Sequence, residues 1–172
     1  LTTLNGMQDP QRRVLGATYG ETRVLNLYVP NGQSVDSEKY QYKLQWLEAL
    51  ERQLNKDLGR YERLVVLGDF NIAPQDSDVH DPATWEGKVL VSPPERAALE
   101  RIKTLGLTDV FRLFDQADNS FSWWDYRAAG FRRNHGLRID LILASETLSQ
   151  TCSSCDIDVA PRRLQRPSDH TP

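Results

Sequence analysis

The 172-residue sequence lacks several features that would assign it to a class at once. No stretch approaches 18 consecutive apolar residues, and the opening LTTLNGMQDP has no basic segment followed by an apolar one. We therefore expect neither a membrane span nor an export signal. The two cysteines, Cys152 and Cys155, form one CxxC without a second pair or nearby histidines. This argues against structural zinc and favours reduced thiols in the cytoplasm.

The chain also lacks an excess of positive charge, with a formal net charge of -3 and a pI near 5.6. Any binding of nucleic acid must then come from a local patch. Two arginine groups qualify, although each could equally be a set of solvated loop residues. They are Arg127, Arg132, Arg133 and Arg138, with no acid between Tyr126 and Ile139, and Arg162, Arg163 and Arg166.

The order of hydrophobic patterns predicts one α/β domain over residues 1–172, because strands and helices alternate without a linker or repeat. We expect a hairpin of Val14–Ala17 and Thr22–Val29, and buried strands at Leu64–Leu67 and Ile139–Ala144. Helices are predicted from Ser37 to Gly59 and from Pro94 to Gly106. The polar, turn-rich stretch from Asn71 to Pro94 is interpreted as a surface excursion.

Two carboxylates sit at or beside predicted buried strands. Asp69, in GDFN, follows directly after one, and Asn71 can point the same way. Such a pair suits an oxygen-seeking cation or a base acting on water, although an Asx turn is the simpler alternative. Asp140 lies inside the other strand and needs a partner. His170, in SDH beside Asp169, is the candidate, either as an oriented phosphate donor or as a plain structural pair.

Aromatic residues supply a second signal. Tyr28 ends a strand at YVPNG, where its phenol could reach a phosphate or simply pack on the strand. Phe121, Trp123 and Trp124 precede the first arginine group, and aromatics interleaved with arginines suit stacking on bases or sugars, although all three could be core.

These motifs, in this order, resemble the exonuclease III branch of the endonuclease/exonuclease/phosphatase family. The resemblance to that branch depends on FSWWDYR followed by GFRRNHGLRIDLILAS. The similarity runs from about Thr22 to the last residue. The resemblance implies a deoxyribonuclease I-like four-layer α/β sandwich of two mixed sheets flanked by helices. It implies a monomeric, Mg²⁺-dependent (or Mn²⁺-dependent) phosphodiesterase of duplex DNA, degrading it from 3′ ends and incising abasic sites in base excision repair.

The resemblance also implies a role for each matched residue. Asp69 would be the general base, with Asn71 orienting water, and Asp69, Asn71 and Asp169 would hold the metal. His170, oriented by Asp140, and Tyr28 would contact the scissile phosphate. The DNA-contacting residues would be Trp123, Arg127, Arg132, Arg133, Leu137 and Arg138, with Trp123 and Leu137 lining the pocket for a base-free sugar.

The sequence departs from the family pattern at both ends. It has no early segment with a metal-binding glutamate, and it stops just after SDH, where the family continues into a final strand. We therefore expect a chain missing N-terminal strands and the final strand, weakly active or inactive alone. The alternatives are a DNA-binding fragment without catalysis and a phosphatase of the same superfamily.

Overall fold

Alternating apolar residues build a five-stranded mixed sheet that positions everything else. The computed structural model describes residues 1–7 and 9–172. The strands are β1 (Val14–Tyr19), β2 (Thr22–Tyr28), β3 (Arg63–Asp69), β4 (Leu107–Asp109), β5 (Trp123–Trp124), β6 (Gly136–Leu137) and β7 (Asp140–Ser145). The large sheet has the order β1-β2-β3-β7-β4, in which β2 and β3 are parallel and the other pairs antiparallel. β5 and β6 form a separate two-stranded sheet.

The described residues also form five α-helices, four of them between strands and one after the last strand. They are α1 (Glu38–Leu58), α2 (Pro82–Trp85), α3 (Pro93–Thr104), α4 (Gly130–Arg133) and α5 (Glu146–Ser149). The predicted long helix is confirmed, because Ser37 caps it by accepting the backbone N–H of Tyr40 at 3.1 Å and Gly59 ends it. The second predicted helix is confirmed as α3. None of the helices in the part of the chain that the structure describes is long and apolar enough to cross a membrane.

The main hydrophobic core lies between one face of the large sheet and the helices α1 and α3. Burial of alternate strand residues follows from the two-residue period of a strand, which turns every second side chain to the same face. The buried side chains include Leu25, Leu27, Leu64, Val66, Leu141 and Leu143 from the strands, and Trp46, Leu47, Leu50, Leu54, Ala98, Leu99 and Ile102 from the helices.

The opposite face of the sheet carries rows of residues that the strand register places side by side. One row runs through Asn26, Leu67 and Ile142. The next row toward the end of the sheet consists of polar residues and forms the centre of the candidate site. Ile142 remains 42% exposed, so this face is far less covered than the helical one.

The interpretation of residues 71–94 as a surface excursion is wrong in part. Val79, Leu90 and Val91 from this stretch are buried and form a second core cluster with Leu137 and Ile139. The many polar and turn-forming residues obscured these scattered apolar positions, which have no regular period because the stretch contains only one short helix and a 3₁₀ turn. Part of the stretch is therefore packed core.

The α/β prediction with a mixed sheet is confirmed. Of the expected sandwich, the described residues form one large sheet, the helical layer on it and the small β5–β6 sheet.

Candidate active site

The candidate site begins with one row of three side chains across three strands. Tyr28 on β2 is in register with Asp69 on β3, and Asp69 is in register with Asp140 on β7. Neighbouring strands lie about 4.8 Å apart, so residues in one row on one face are close neighbours. The sheet therefore brings together residues separated by more than a hundred positions in the sequence.

The other three residues of the GDFN motif each help to fix Asp69 at the end of β3. Gly68 adopts φ +126°, and a Cβ there would stand 2.2 Å from the carbonyl oxygen of Leu27, so this position requires glycine. Phe70 is fully buried and its backbone N–H donates to Ile139. Asn71 takes the left-handed φ of 50° and donates from its backbone and its side chain to the two oxygens of Asp69 at 2.8 and 2.9 Å.

His170 reaches the row from the other end of the chain. Its Nδ1 lies 2.9 Å from Asp140 Oδ2, which confirms the predicted pairing, and its Nε2 lies 4.0 Å from Asp69 Oδ2. Ser122 completes the group, since its hydroxyl donates to Asp140 Oδ2 at 2.7 Å and accepts the backbone N–H of Asp140 at 3.1 Å. Asp140 thus fixes the imidazole so that Nε2 faces Asp69.

The charges of the group perturb one another. Burial raises the pKa of Asp69, and the negative charge of Asp140 raises it further, to about 6, against the opposing effects of His170, the Asn71 N–H and Lys43. Burial lowers the pKa of His170, but the hydrogen bond and negative charge of Asp140 outweigh this, so the net shift is upward. Asp69 therefore titrates close to neutral pH, as expected for a base acting on water.

A divalent cation fits this group of donors. One ligand atom each from Asp69, Asp140 and His170 lies within 4.8 Å of the others. Two carboxylates on adjacent strands, one of them with a raised pKa, create an excess of negative charge that a cation would relieve. Mg²⁺ is commonly held by one or two carboxylates with water completing its shell.

The other two predicted metal ligands are held differently. The side-chain oxygen of Asn71 accepts a hydrogen bond from Asn31 at 3.0 Å, and its nitrogen faces Asp69. Asp169 accepts a hydrogen bond from the Trp123 indole at 3.1 Å. Asn71 therefore supports Asp69 through N–H groups. Metal binding by Asp169 stays a prediction.

Sequence reasoning missed three residues that support the site: Ser122, Asn31 and Lys43. Lys43 on α1 is fully buried, pairs with Glu95 on α3 and donates to the carbonyl of Asn71 at 2.7 Å. Burial lowers the pKa of Lys43, and Glu95 counteracts part of that effect. The available signal was the spacing of Lys43, which places it on the same face of α1 as Leu47, Leu50 and Leu54. A lysine is, however, rarely buried.

Of the aromatic residues before the first arginine group, two belong to the core and one lies at the candidate site. Phe121 and Trp124 are buried, whereas Trp123 is partly exposed. The backbone of Trp123 bridges His170, and Trp124 donates its N–H to the carbonyl of Asp169 at 3.0 Å. β5 therefore aligns the SDH segment with the sheet, which is how His170 comes to face Asp140.

Two predicted DNA contacts are corrected by the structure. Arg138 is 1% exposed, and Asp78 and Asp109 accept four hydrogen bonds from its guanidinium, so it is not available at the surface to a phosphate. Leu137 is fully buried in the second core cluster, so it does not line an open pocket. The sequence did not reveal the burial of these two residues, because β6 and the residue after it are covered by residues 71–94, which are distant in the sequence.

The remaining predicted arginines are accessible. Arg127, Arg132 and Arg133 lie in or beside the short helix α4, in a segment we call the arm (residues 125–135). All three are exposed, and Arg127 makes one ion pair, to Asp125, with a side chain that is 90% exposed. The arm is joined to the SDH segment by Tyr126, whose hydroxyl donates to the carbonyl of Pro167 at 2.8 Å. Three exposed cationic side chains therefore belong to a segment that is tied to the SDH segment.

The structure thus defines an α/β protein whose sheet presents an Asp–Asp–His group able to hold a metal ion, and comparison with known proteins assigns the family. The model of the Endonuclease/Exonuclease/phosphatase family matches residues 2–170. The chain belongs to this family.

Individual relatives agree. The chain is 37% identical over 177 residues to the exodeoxyribonuclease III of Haemophilus influenzae, covering 96% of this chain and 66% of the relative. It is 31% identical to an exodeoxyribonuclease of Bacillus subtilis, covering 87% and 59%. The chain thus spans less than two thirds of the length of these curated relatives.

Solved structures share the fold closely. The 3′-5′ exonuclease NExo from Neisseria meningitidis superposes with a TM-score of 0.97 at 42% identity, covering 99% of this chain and 67% of that one. A 3′ phosphatase NExo from Neisseria bound to a product DNA hairpin gives a TM-score of 0.93 at 43% identity, covering 95% and 64%. An AP endonuclease from Archaeoglobus fulgidus gives 0.91 at 37%, covering 98% and 66%.

Proposed function

We propose that the protein is a metal-dependent phosphodiesterase of duplex DNA, removing nucleotides from 3′ ends and incising at abasic sites in base excision repair. The observation that carries the proposal is the row of Tyr28, Asp69 and Asp140 with His170 hydrogen-bonded to Asp140 at 2.9 Å. This row offers a base, an oriented imidazole and a phenol around one small volume. The names of the relatives, which act as exodeoxyribonucleases and AP endonucleases, support the choice of substrate.

Asp69 is the residue suited to activate water. Its pKa of about 6 leaves it largely ionised at neutral pH yet basic enough to accept a proton as the water attacks phosphorus. The two N–H groups of Asn71 hold both of its oxygens, which fixes the direction in which the carboxylate presents its free lone pairs.

His170 and Tyr28 are suited to the phosphate. The raised pKa of His170 favours a protonated ring, whose Nε2–H can donate to a phosphate oxygen while Asp140 holds Nδ1. Tyr28 is 51% exposed at the end of β2, so its hydroxyl is free to approach the same group. A bound Mg²⁺ or Mn²⁺ would neutralise charge on the phosphate, with Asp69 the first ligand and Asp140 and His170 beside it.

The arm is suited to hold the duplex beside this centre. Arg127, Arg132 and Arg133 can neutralise backbone phosphates, while the partly exposed Trp123 lies between the arm and His170 and suits a base-free sugar. Because the arm is tied to the SDH segment, a duplex held there would lie next to the catalytic row. We further propose a single-domain, monomeric protein of the cytoplasm, consistent with its two free thiols.

The test is a duplex oligonucleotide with one abasic-site analogue, incubated with the full-length protein in Mg²⁺ or in chelator. Nicking on the 5′ side of the analogue with Mg²⁺ and none with chelator is expected. Parallel duplexes with a recessed 3′-hydroxyl and with a 3′-phosphate rank the exonuclease and 3′-phosphatase activities. Duplex binding without hydrolysis of any of the three would refute the proposal.

A further inference from the structure

The buried cation beneath the catalytic row is held by a complete set of partners. Lys43 projects from α1 and is 0% exposed, as is its partner Glu95 on α3. Glu95 is fixed in turn, since it accepts backbone N–H groups from Leu90 at 3.0 Å and Ser92 at 3.1 Å. One of the three ammonium protons of Lys43 is therefore assigned to a rigid carboxylate.

The other two protons go to the loops that carry the site. Lys43 donates to the carbonyl of Asn71 at 2.7 Å and to the carbonyl of Asn31 at 3.1 Å. Asn31 lies just beyond the end of β2, and Asn71 just beyond the end of β3. One ammonium group thus joins the two strand ends that present Tyr28 and Asp69.

Each loop contains a residue with a positive φ beside the lysine, namely Asn71 with φ 50° and Gly32 with φ +94°. A Cβ on residue 32 would come within 3.2 Å of the lysine Cδ, so glycine leaves room for that side chain. From Asn71 the contacts continue directly to the oxygens of Asp69. Asn31 adds a cross-link by donating its side-chain amide to Asn71. The path from Lys43 to Asp69 therefore consists of two consecutive sets of hydrogen bonds.

Stability does not explain the pair well. A buried ion pair loses about as much hydration as it gains in attraction, and an apolar pair of similar volume is often at least as stable. An apolar side chain cannot, however, donate to the two loop carbonyls. The hydrogen bonds to those carbonyls distinguish Lys43 from an apolar core residue.

We propose that Lys43, held by Glu95, is a positioning residue that sets the separation of the β2 and β3 ends and thereby aims Asp69 at the reacting phosphate. The inference rests on the proposed function of the catalytic row. Lys43 does not touch substrate in this scheme, since it is sealed beneath the loops.

The test separates the charge of the pair from its hydrogen bonds. Lys43→Met alone leaves Glu95 buried and unpaired, so both melting temperature and kcat fall. In Lys43→Met with Glu95→Gln the charge is removed, so the melting temperature recovers while kcat stays down by about 10²-fold at unchanged KM, because Asp69 is misplaced. Lys43→Gln with Glu95→Gln is equally neutral but supplies N–H donors, and kcat recovers in part.

A matched control uses the same helix and the same strand. Arg23 at the start of β2 pairs with Asp57 near the end of α1 at 3.3 Å, with both side chains largely buried, but at the opposite end of β2 from the site. Arg23→Met with Asp57→Asn is expected to change melting temperature without changing kcat.

The outcomes distinguish this inference from the proposed function. If the unaltered protein hydrolyses none of the DNA substrates, the proposed function fails, and the positions of the amide resonances of residues 69–72 still report whether Lys43 sets the loop. Equal kcat in the Met/Gln and Gln/Gln pairs would overturn the inference. A kcat loss in Glu95→Gln alone as large as in Lys43→Met would also overturn it, since that variant keeps the lysine on both carbonyls.

Discussion

Two clusters of acidic and basic side chains lie close together in this protein and have opposite characters. In one, Arg138 is enclosed by Asp78 and Asp109, all three are buried, and Arg112 also pairs with Asp78. In the other, Asp69 and Asp140 face a single histidine, and the side chains are 13 to 31% exposed. Both clusters use aspartates, but arginines oppose them in the first and one histidine in the second.

The difference lies in charge balance and access. The Arg138 cluster is sealed, and its opposite charges satisfy one another through at least four hydrogen bonds. The Asp69 cluster has more acid than base and an open side, so protons, a cation and a phosphate can enter. A sequence scan for charged residues near strands finds members of both clusters. Only the surroundings of each cluster in the fold distinguish a structural ion-pair network from a candidate active site.

The largest effect is expected from Asp69→Asn, which keeps the shape of the side chain but removes the base. We expect kcat for nicking an abasic-site duplex to fall by about 10²- to 10⁴-fold, the usual contribution of a general base. Stability at neutral pH should not fall, because a buried carboxylate with a raised pKa is lost. Single-turnover nicking and urea unfolding measure the two effects. A variant with normal kcat would remove Asp69 from the mechanism.

Arg138→Met addresses the other cluster and should have the reverse effect. It leaves Asp78 and Asp109 buried without a partner, which costs about 3–5 kcal/mol of unfolding free energy. Urea unfolding followed by tryptophan fluorescence measures it. Adding Asp78→Asn and Asp109→Asn should restore much of the loss, because no unpaired charge then remains. An unchanged midpoint for the single variant would show that the network is not intact in solution.

Local patterns sufficed to predict the elements that sequence periodicity controls. The hairpin, α1, α3 and the buried strands of Asp69 and Asp140 follow from alternation, caps and glycines. The pairing of Asp140 with His170 was predicted because a carboxylate in a strand needs a partner and few histidines are available. Each of these inferences used residues whose local physics has few solutions.

The rest depends on long-range packing that no local pattern encodes. Arg138 was assigned to DNA because it follows other arginines, yet the chain folds Asp78 over it from sixty residues away. Leu137 and the apolar residues of 71–94 were misjudged for the same reason. Ser122 gave no signal, and Lys43 gave only its position on the buried face of α1, because the roles of both arise from strand register and from helix packing against loops.

A smaller effect should appear in the pH dependence of stability. The folded-state pKa of Asp69 is about 6, against an ordinary value of 3.8. The folded state therefore holds this proton more tightly, so the stabilisation is complete below about pH 4 and is lost as the pH rises to about 6, by roughly 3 kcal/mol. Urea unfolding in chelator from pH 4 to 7 should show this decline in the unaltered protein.

Asp69→Asn provides the control, because the decline between pH 4 and 6 should be weaker in that variant. The raised pKa of His170 acts in a separate window, since its stabilisation is lost only as the pH rises above its ordinary value of 6.5. Identical pH profiles for the two proteins would contradict the assignment of the raised pKa to Asp69.

The smallest effect concerns the arginines themselves. Arg133→Ala should weaken duplex binding modestly and reduce the slope of log Kd against log salt by about 1, the value for one phosphate contact. Arg52→Ala is the matched control, because Arg52 is also exposed but lies on α1, on the opposite side of the sheet, and its salt slope should stay unchanged. Equal slopes for both variants and the unaltered protein would place the duplex away from the arm. Arg133 and Arg138 stand five residues apart in the sequence. A change in salt slope for Arg133→Ala and a loss of stability for Arg138→Met would show that exposure, rather than sequence neighbourhood, decides which arginine contacts DNA.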